Sequence, residues 1–263
     1  MKPVILAFFL AISVAVAAQK KEPSVPNIAF DRGEELEFRF FYDSWFADIT
    51  AGYGTLTVTD DKDLKYGRPT YHVVAEGKSK GLFNMFMKVQ DRFESWFDQE
   101  DLKPYHFVRR TREGGYRKDD DVLFNYTLNQ AQSRTATKSL SNQTFCIISA
   151  FYYARNLDLT NVAIGDILKV PFYFDDSVYN SAIQYLGKEV VKTDFGQFRC
   201  LKIKPMMATG KVFKDPYPMV MYITDDKNRI PVLAESAIIV GKVKMELTAY
   251  KGLRNRISCL VEK

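Results

Sequence analysis

The sequence predicts a mainly β protein, a strongly curved antiparallel sheet or partly open β-barrel wrapping one apolar helix. Three observations predict it. Apolar and polar residues alternate with period two in stretches that recur from Leu36 to Lys251. Clusters of turn-forming residues separate those stretches at close spacing. One segment, Phe145–Ala154, is apolar on nearly every side, and a helix without a polar face must be surrounded.

The N-terminus reads differently from everything after it. Lys2 precedes Val4–Ala18, an apolar run broken only by Ser13, and Gln19-Lys20-Lys21 follows at once. Ala15-Val16-Ala17, or the neighbouring Val16-Ala17-Ala18, supplies the small-x-small pattern of a cleavage site. The run is short of the roughly 20 residues a membrane helix needs. Residues 1–18 are therefore expected to be a cleaved signal peptide, 19–29 a flexible leader and 30–263 a single β-rich domain. No cysteine adjoins the cleavage site, so there is no lipobox, and the mature chain is expected in the periplasm or otherwise secreted. No later segment is long and apolar enough to be a transmembrane helix. Loss of Lys2 takes the formal charge from +5 to +4, too small an excess to suggest nucleic acid.

Within the domain, Leu36, Phe38, Phe40 and Tyr42 share one strand face, and Ala51–Thr59 and Tyr71–Lys78 repeat the theme. Met85–Phe97 reads as the clearest long strand. Tyr105–Arg112 and Arg117–Tyr126 flank Glu113-Gly114-Gly115-Tyr116, a hairpin signal because glycine accepts positive φ. Further strands are expected at Ile167–Tyr173, Ala182–Lys192, Gly196–Pro205, Met219–Thr224, Pro231–Ile239 and Lys242–Lys251. Phe145–Ala154 is the helix, with Ser141 and Asn142 as candidate caps. One internal echo stands out. Phe97-Asp98 leads through acidic residues to Leu102-Lys103-Pro104, and Ile223-Thr224-Asp225-Asp226 leads to Arg229-Ile230-Pro231.

Chemistry is hard to find. Gly77-Lys78-Ser79-Lys80-Gly81 matches G-x-S-x-G, but no amphipathic helix follows it and only His72 and His106 are available as bases. No histidine pair or Cys-x-x-Cys has metal-ligand spacing, and the aspartate runs lack the alternating ligands of a calcium loop. No catalytic residue, metal or cofactor is expected. Asp91 interrupts an apolar face, which suggests an ion pair with an arginine. Cys200 and Cys259 are the two cysteines that a disulfide would join, although their spacing does not demand one. Arg109, Arg110, Arg112, Arg117 and Lys118 form a basic surface patch on the hairpin, immediately offset by Asp119–Asp121. Met85, Met87, Phe93, Phe151 and Tyr152 are the candidate ligand-binding residues, because methionine and aromatic linings adapt to apolar cargo.

Several motifs resemble a known family. KVQDRFESWFD at Lys88–Asp98, Leu102-Lys103-Pro104, the segment Ala150–Asp158, the stretch Gly196–Pro205, and Thr224-Asp225-Asp226 through Ile230-Pro231 look like domain-of-unknown-function family 3108, over roughly Phe30 to Leu253. That family consists mainly of Gram-negative envelope proteins and carries no established activity, so the resemblance implies no catalytic residues. More distantly, the repeated hairpin and enclosed helix are similar to the periplasmic lipoprotein-carrier proteins, whose half-open barrel holds acyl chains. The sequence thus predicts an exported, non-catalytic protein that binds an apolar or lipid-like ligand. The alternative is a structural or assembly factor with another cell-envelope protein as its partner.

Overall fold

Alternating residues dictate pairing, and pairing dictates the sheet. The computed structural model describes residues 25–43, 48–62, 64–65, 67–206, 216–237 and 242–261. The expected signal peptide and residues 19–24 of the leader lie outside them. The first half of the chain forms β1 (Glu35–Asp43), β2 (Asp48–Val58), β3 (Leu64–Lys65), β4 (Arg68–Ser79), the one-turn helix α1 (Phe83–Phe86), β5 (Gln90–Asp98), β6 (Pro104–Glu113) and β7 (Tyr116–Asn125). Short strands β8 (Gln130–Gln132), β9 (Thr137–Ser139) and β10 (Phe145–Cys146) lead into helix α2 (Ile147–Arg155). The second half contributes β11 (Ile167–Lys169), β12 (Phe172–Phe174), β13 (Ser177–Tyr179), β14 (Ala182–Thr193), β15 (Gly196–Pro205), β16 (Met219–Thr224), β17 (Pro231–Ala237) and β18 (Lys242–Lys251).

One sheet of 15 strands runs in the order β11-β14-β15-β16-β17-β18-β1-β2-β4-β5-β6-β7-β8-β9, with β3 beside β4. The pairing of β1 with β18 joins the two halves of the chain at the middle of the sheet. Its ends, β11 and β9, do not pair, so the sheet curves without closing. Bulges at Glu37/Phe38, Phe40/Phe41, Trp96/Phe97, Tyr185/Gly187 and Tyr222/Ile223 add local twist. A small sheet, β10-β12-β13, lies apart from it.

Helix α2 has no exposed residue, as its apolar circumference requires. Ile148, Ala150 and Tyr152 join a core that includes Phe30, Tyr71, Val73, Phe97, Phe107 and Phe124. A second cluster groups Leu36, Phe38, Phe198, Tyr222, Val232 and Leu247, and a third holds Tyr185, Leu201, Ile203 and Ile223. The helix cap is Cys146, not Ser141 or Asn142: its sulfur accepts from the Ser149 N–H, and the Ser149 hydroxyl accepts from the Cys146 N–H at 3.1 Å.

Two expected strands are shorter than the alternation suggested. The strand starting at Met85 begins instead at Gln90, because Leu82–Met87 closes a helical turn through Met87 N–H to Phe83 O at 2.9 Å. Ile167–Tyr173 divides at Pro171, whose missing N–H interrupts a ladder. The end of the expected leader is tied down. Asn156 Oδ1 accepts from Ile28 N at 2.7 Å and Ala29 N at 3.1 Å, and Ala29 is fully buried.

The internal echo is structural. In each copy a bulge precedes the turn, Phe97 pairs with Pro104 and Ile223 with Pro231. Leu102 and Arg229 occupy the same place in the two turns, and both have positive φ, 59° and 47°.

Candidate functional site: an apolar cleft beside helix α2

The helix is packed on one flank and open on the other. Tyr152 turns toward the core, its ring 4.4 Å from Phe30 and 5.7 Å from Phe97. Ile147, Phe151 and Ala154 instead face a cleft of about 200 Å³, which the core residue Ala150 also borders. Its opposite wall is Ile183 on β14, Ile203 on β15, and Met221 and Ile223 on β16. Leu157, Leu159, Leu168, Val170, Phe172 and Met206 complete the apolar lining. The volume is smaller than the several hundred Å³ a large cargo requires. It nevertheless exceeds the roughly 150 Å³ of apolar space that takes up benzene in an engineered cavity.

Two arginines border this cleft. Arg155 is buried and held bidentately by Glu34, at 2.6 and 2.7 Å, and its Nε donates to Asn228 O at 3.0 Å. Arg229 donates to the carbonyl oxygens of Arg155, at 3.3 Å, and of Leu157, so it caps the C-terminal end of α2. Burial pushes the Arg229 guanidinium below its ordinary value, against the opposing fields of Asp158, Asp225 and Asp226.

Of the five candidate ligand residues, Phe151 lines the cleft. Tyr152 and Phe93 pack in or against the core instead. Met85 and Met87 are 81% and 43% exposed and take no part in the cleft. Most of the lining comes from β14–β16 and the segment after α2. Met206 and Met221 were visible as methionines in the sequence, but nothing local aims them at the helix.

The remaining candidates resolve into local structure. The Ser79 hydroxyl donates to Asn84 Oδ1 at 2.7 Å and accepts from Val89 N–H at 2.8 Å. His72 lies between Asp61 and Glu94, and His106 meets Asp121, so neither histidine addresses Ser79. Among the described residues Asp91 forms no ion pair with an arginine; its carboxylate accepts from the Arg112 backbone N–H at 2.9 Å. Cys200 and Cys259 are unbridged, buried thiols in the same core cluster. Burial pushes both up to about 12. Among the described residues no cluster of three or more His, Cys, Asp or Glu could hold a metal ion.

The basic hairpin is a mixed-charge ladder rather than an open patch. Arg109 pairs with Asp120 and Asp175, Arg112 with Asp119, and Lys118 with Asp120 and Asp175. Arg110 Nη1 is occupied by the carbonyls of Arg109 and Asp120. Arg117 remains exposed, directly across from Arg112.

This architecture has a counterpart among solved structures. A β-barrel-like protein of domain of unknown function DUF1849 from Brucella abortus superposes with a TM-score of 0.58 at 9% identity, over 85% of this chain and 99% of that one. A protein from Bacteroides fragilis with a YmcC-like fold, described as exported, matches with a TM-score of 0.39 at 12% identity, over 85% and 98%. One from Parabacteroides distasonis, described as a lipoprotein, matches with a TM-score of 0.37 at 12% identity, over 88% and 100%. Among curated proteins none matches. No helix among the described residues is long and apolar enough to cross a membrane. The profile of the family described as protein of unknown function, DUF3108, covers residues 37–248, most of the sheet and all of the cleft, and the chain belongs to that family.

Proposed function

We propose that this is an exported, non-catalytic protein that holds an apolar, lipid-like ligand between α2 and strands β14–β16. The observation that carries the reading is the cleft itself, apolar on the helix side and on the sheet side while the opposite flank of the same helix is tightly packed. A helix this apolar is most stable when enclosed, so leaving one flank beside open space calls for an occupant. Export rests on the Val4–Ala18 signal pattern.

The test is native mass spectrometry and solvent extraction of the protein purified from its own envelope, beside Ala154→Phe. A co-purifying acyl ligand is expected in the wild type. Filling the cleft should lower occupancy about tenfold or more, since burying an apolar side chain is worth roughly 1.5–3 kcal/mol, and leave the far-ultraviolet spectrum unchanged. Ligand-free protein that also fails to take up a fluorescent fatty acid would end this reading.

The second reading, an assembly factor for another envelope protein, is favoured by one observation. β11 pairs only with Ala182–Gln184, and no described strand pairs with the outer edge of Lys188–Lys192, where Val190 is 56% exposed. A photo-crosslinker at Val190 that captures a single envelope protein in cells would select it.

A further inference from the structure

The β4–β5 connection carries a feature that the cleft does not explain. Leu82 and Met85 are 69% and 81% exposed, and Met87 is 43% exposed. Met85 is the most exposed large apolar residue among those described. Singly exposed apolar residues are ordinary, but three within one turn are not.

The turn is built to hold them out. Ser79 Oγ bonds Asn84 Oδ1 at 2.7 Å and receives the Val89 N–H at 2.8 Å. Lys80 N donates to Ala51 O at 2.9 Å, Asn84 N to Gly81 O at 3.1 Å and Met87 N to Phe83 O at 2.9 Å. These bonds satisfy the backbone locally, so the apolar side chains project from a fixed turn. Neighbouring aromatic rings extend the surface. Tyr53, 41% exposed, lies under Lys80 Nζ at 5.0 Å. Tyr116, 49% exposed, tops the adjacent hairpin, whose Gly114 approaches Met87.

Charge decides the occupant. Lys78, Lys80 and Lys88 bracket the apolar turn, all three exposed, and among the described residues no ion pair uses them. Asp91 shares a shallow pocket with Lys78 and Phe83, but among the described residues neither it nor Glu113 forms an ion pair with the three lysines. Asp91 is occupied by the Arg112 N–H, and burial beside the Asp91 charge pushes Glu113 above its ordinary value. An apolar knob ringed by ammonium groups without a carboxylate partner, with aromatic rings at its margin, complements acyl chains beneath a layer of phosphates.

We propose that Lys78–Lys88 docks the protein on an anionic phospholipid surface, with Leu82, Met85 and Met87 entering the acyl boundary and the three lysines meeting headgroup phosphates. This site shares no residue with the cleft, and it stands or falls separately from the ligand reading.

Co-sedimentation with vesicles tests it, using phosphatidylethanolamine alone and phosphatidylethanolamine mixed with phosphatidylglycerol. All variants are compared in the same chain, because Val4–Ala18 is itself apolar. The wild type should bind the mixed vesicles and release as salt rises. Leu82→Ser with Met85→Ser should weaken binding about tenfold or more to the mixed vesicles. Each of Lys78→Gln, Lys80→Gln and Lys88→Gln should cost about fivefold on the mixed vesicles, and nothing on the neutral ones. The substituted side chains are exposed, so melting temperatures should not move. Wild-type protein that stays in the supernatant with both vesicle types would overturn the proposal. So would variants that bind as the wild type does, or a crosslinker at Met85 that captures a protein in cells instead of lipid.

Discussion

Buried charge concentrates at the junction of helix and sheet. Glu34 and Arg155 are 0% and 2% exposed in their side chains, and each satisfies the other bidentately. Removing one partner strands the other without water. Glu34→Gln should therefore destabilise the protein by about 3–5 kcal/mol in urea titration, and Arg155→Met should do the same. Asp98 and Asp176 are two of the carboxylates held below their ordinary value. Burial pushes Asp98 up, but the Arg68 guanidinium, the Glu100 N–H and the Tyr105 hydroxyl outweigh it and hold it below the usual range. For Asp176, hydroxyls from Ser133, Thr135 and Tyr173 overcome burial and bring it down to about 2. Depressed carboxylates stabilise fully above the unfolded value, about 4, and that contribution fades as pH falls through the folded value. Thermal stability should decline between about pH 4 and 2, and Asp176→Asn should flatten the decline. The Glu34–Arg155 pair could not be read from the chain, since its two members lie 121 residues apart. Asp91 illustrates the opposite error. Its place on an apolar face was legible, but its backbone partner on the neighbouring strand was not.

Elements were more legible than partners, because periodicity is local. Alternation located β1, β2, β4 and β14–β18 within a few residues, and the paired glycines located the β6–β7 hairpin. It failed at Met85, where a run of apolar residues fits helix and strand equally and a local hydrogen-bonded turn decided. The echo between the β5–β6 and β16–β17 turns was legible as a proline pattern. Its left-handed residues, Leu102 and Arg229, were not, because neither is a glycine. Where the chain does use glycine, the need is geometric. Gly252 follows β18 with φ +63°, and an added Cβ would lie 2.0 Å from Gly33 O. Gly252→Ala should thus cost about 3 kcal/mol by forcing the two backbones apart, measurable as a lower urea midpoint with an unchanged slope.

At the scale of the whole molecule, an apolar helix implied a curved sheet around it, and the sheet does curve around α2. The sequence did not say that enclosure would be one-sided. Tyr152 and Phe151 are adjacent and chemically alike, yet one fills the core and the other lines the cleft, a distinction made by β14–β16 far along the chain. Arg155 belongs to both the cleft wall and the Glu34 pair. Occupancy and unfolding are therefore a single thermodynamic cycle. A guest resting on that guanidinium should raise the melting temperature with concentration. By reciprocity, cutting the Glu34 tether should weaken the guest's binding by as much free energy as the bound guest adds to the tether's own contribution.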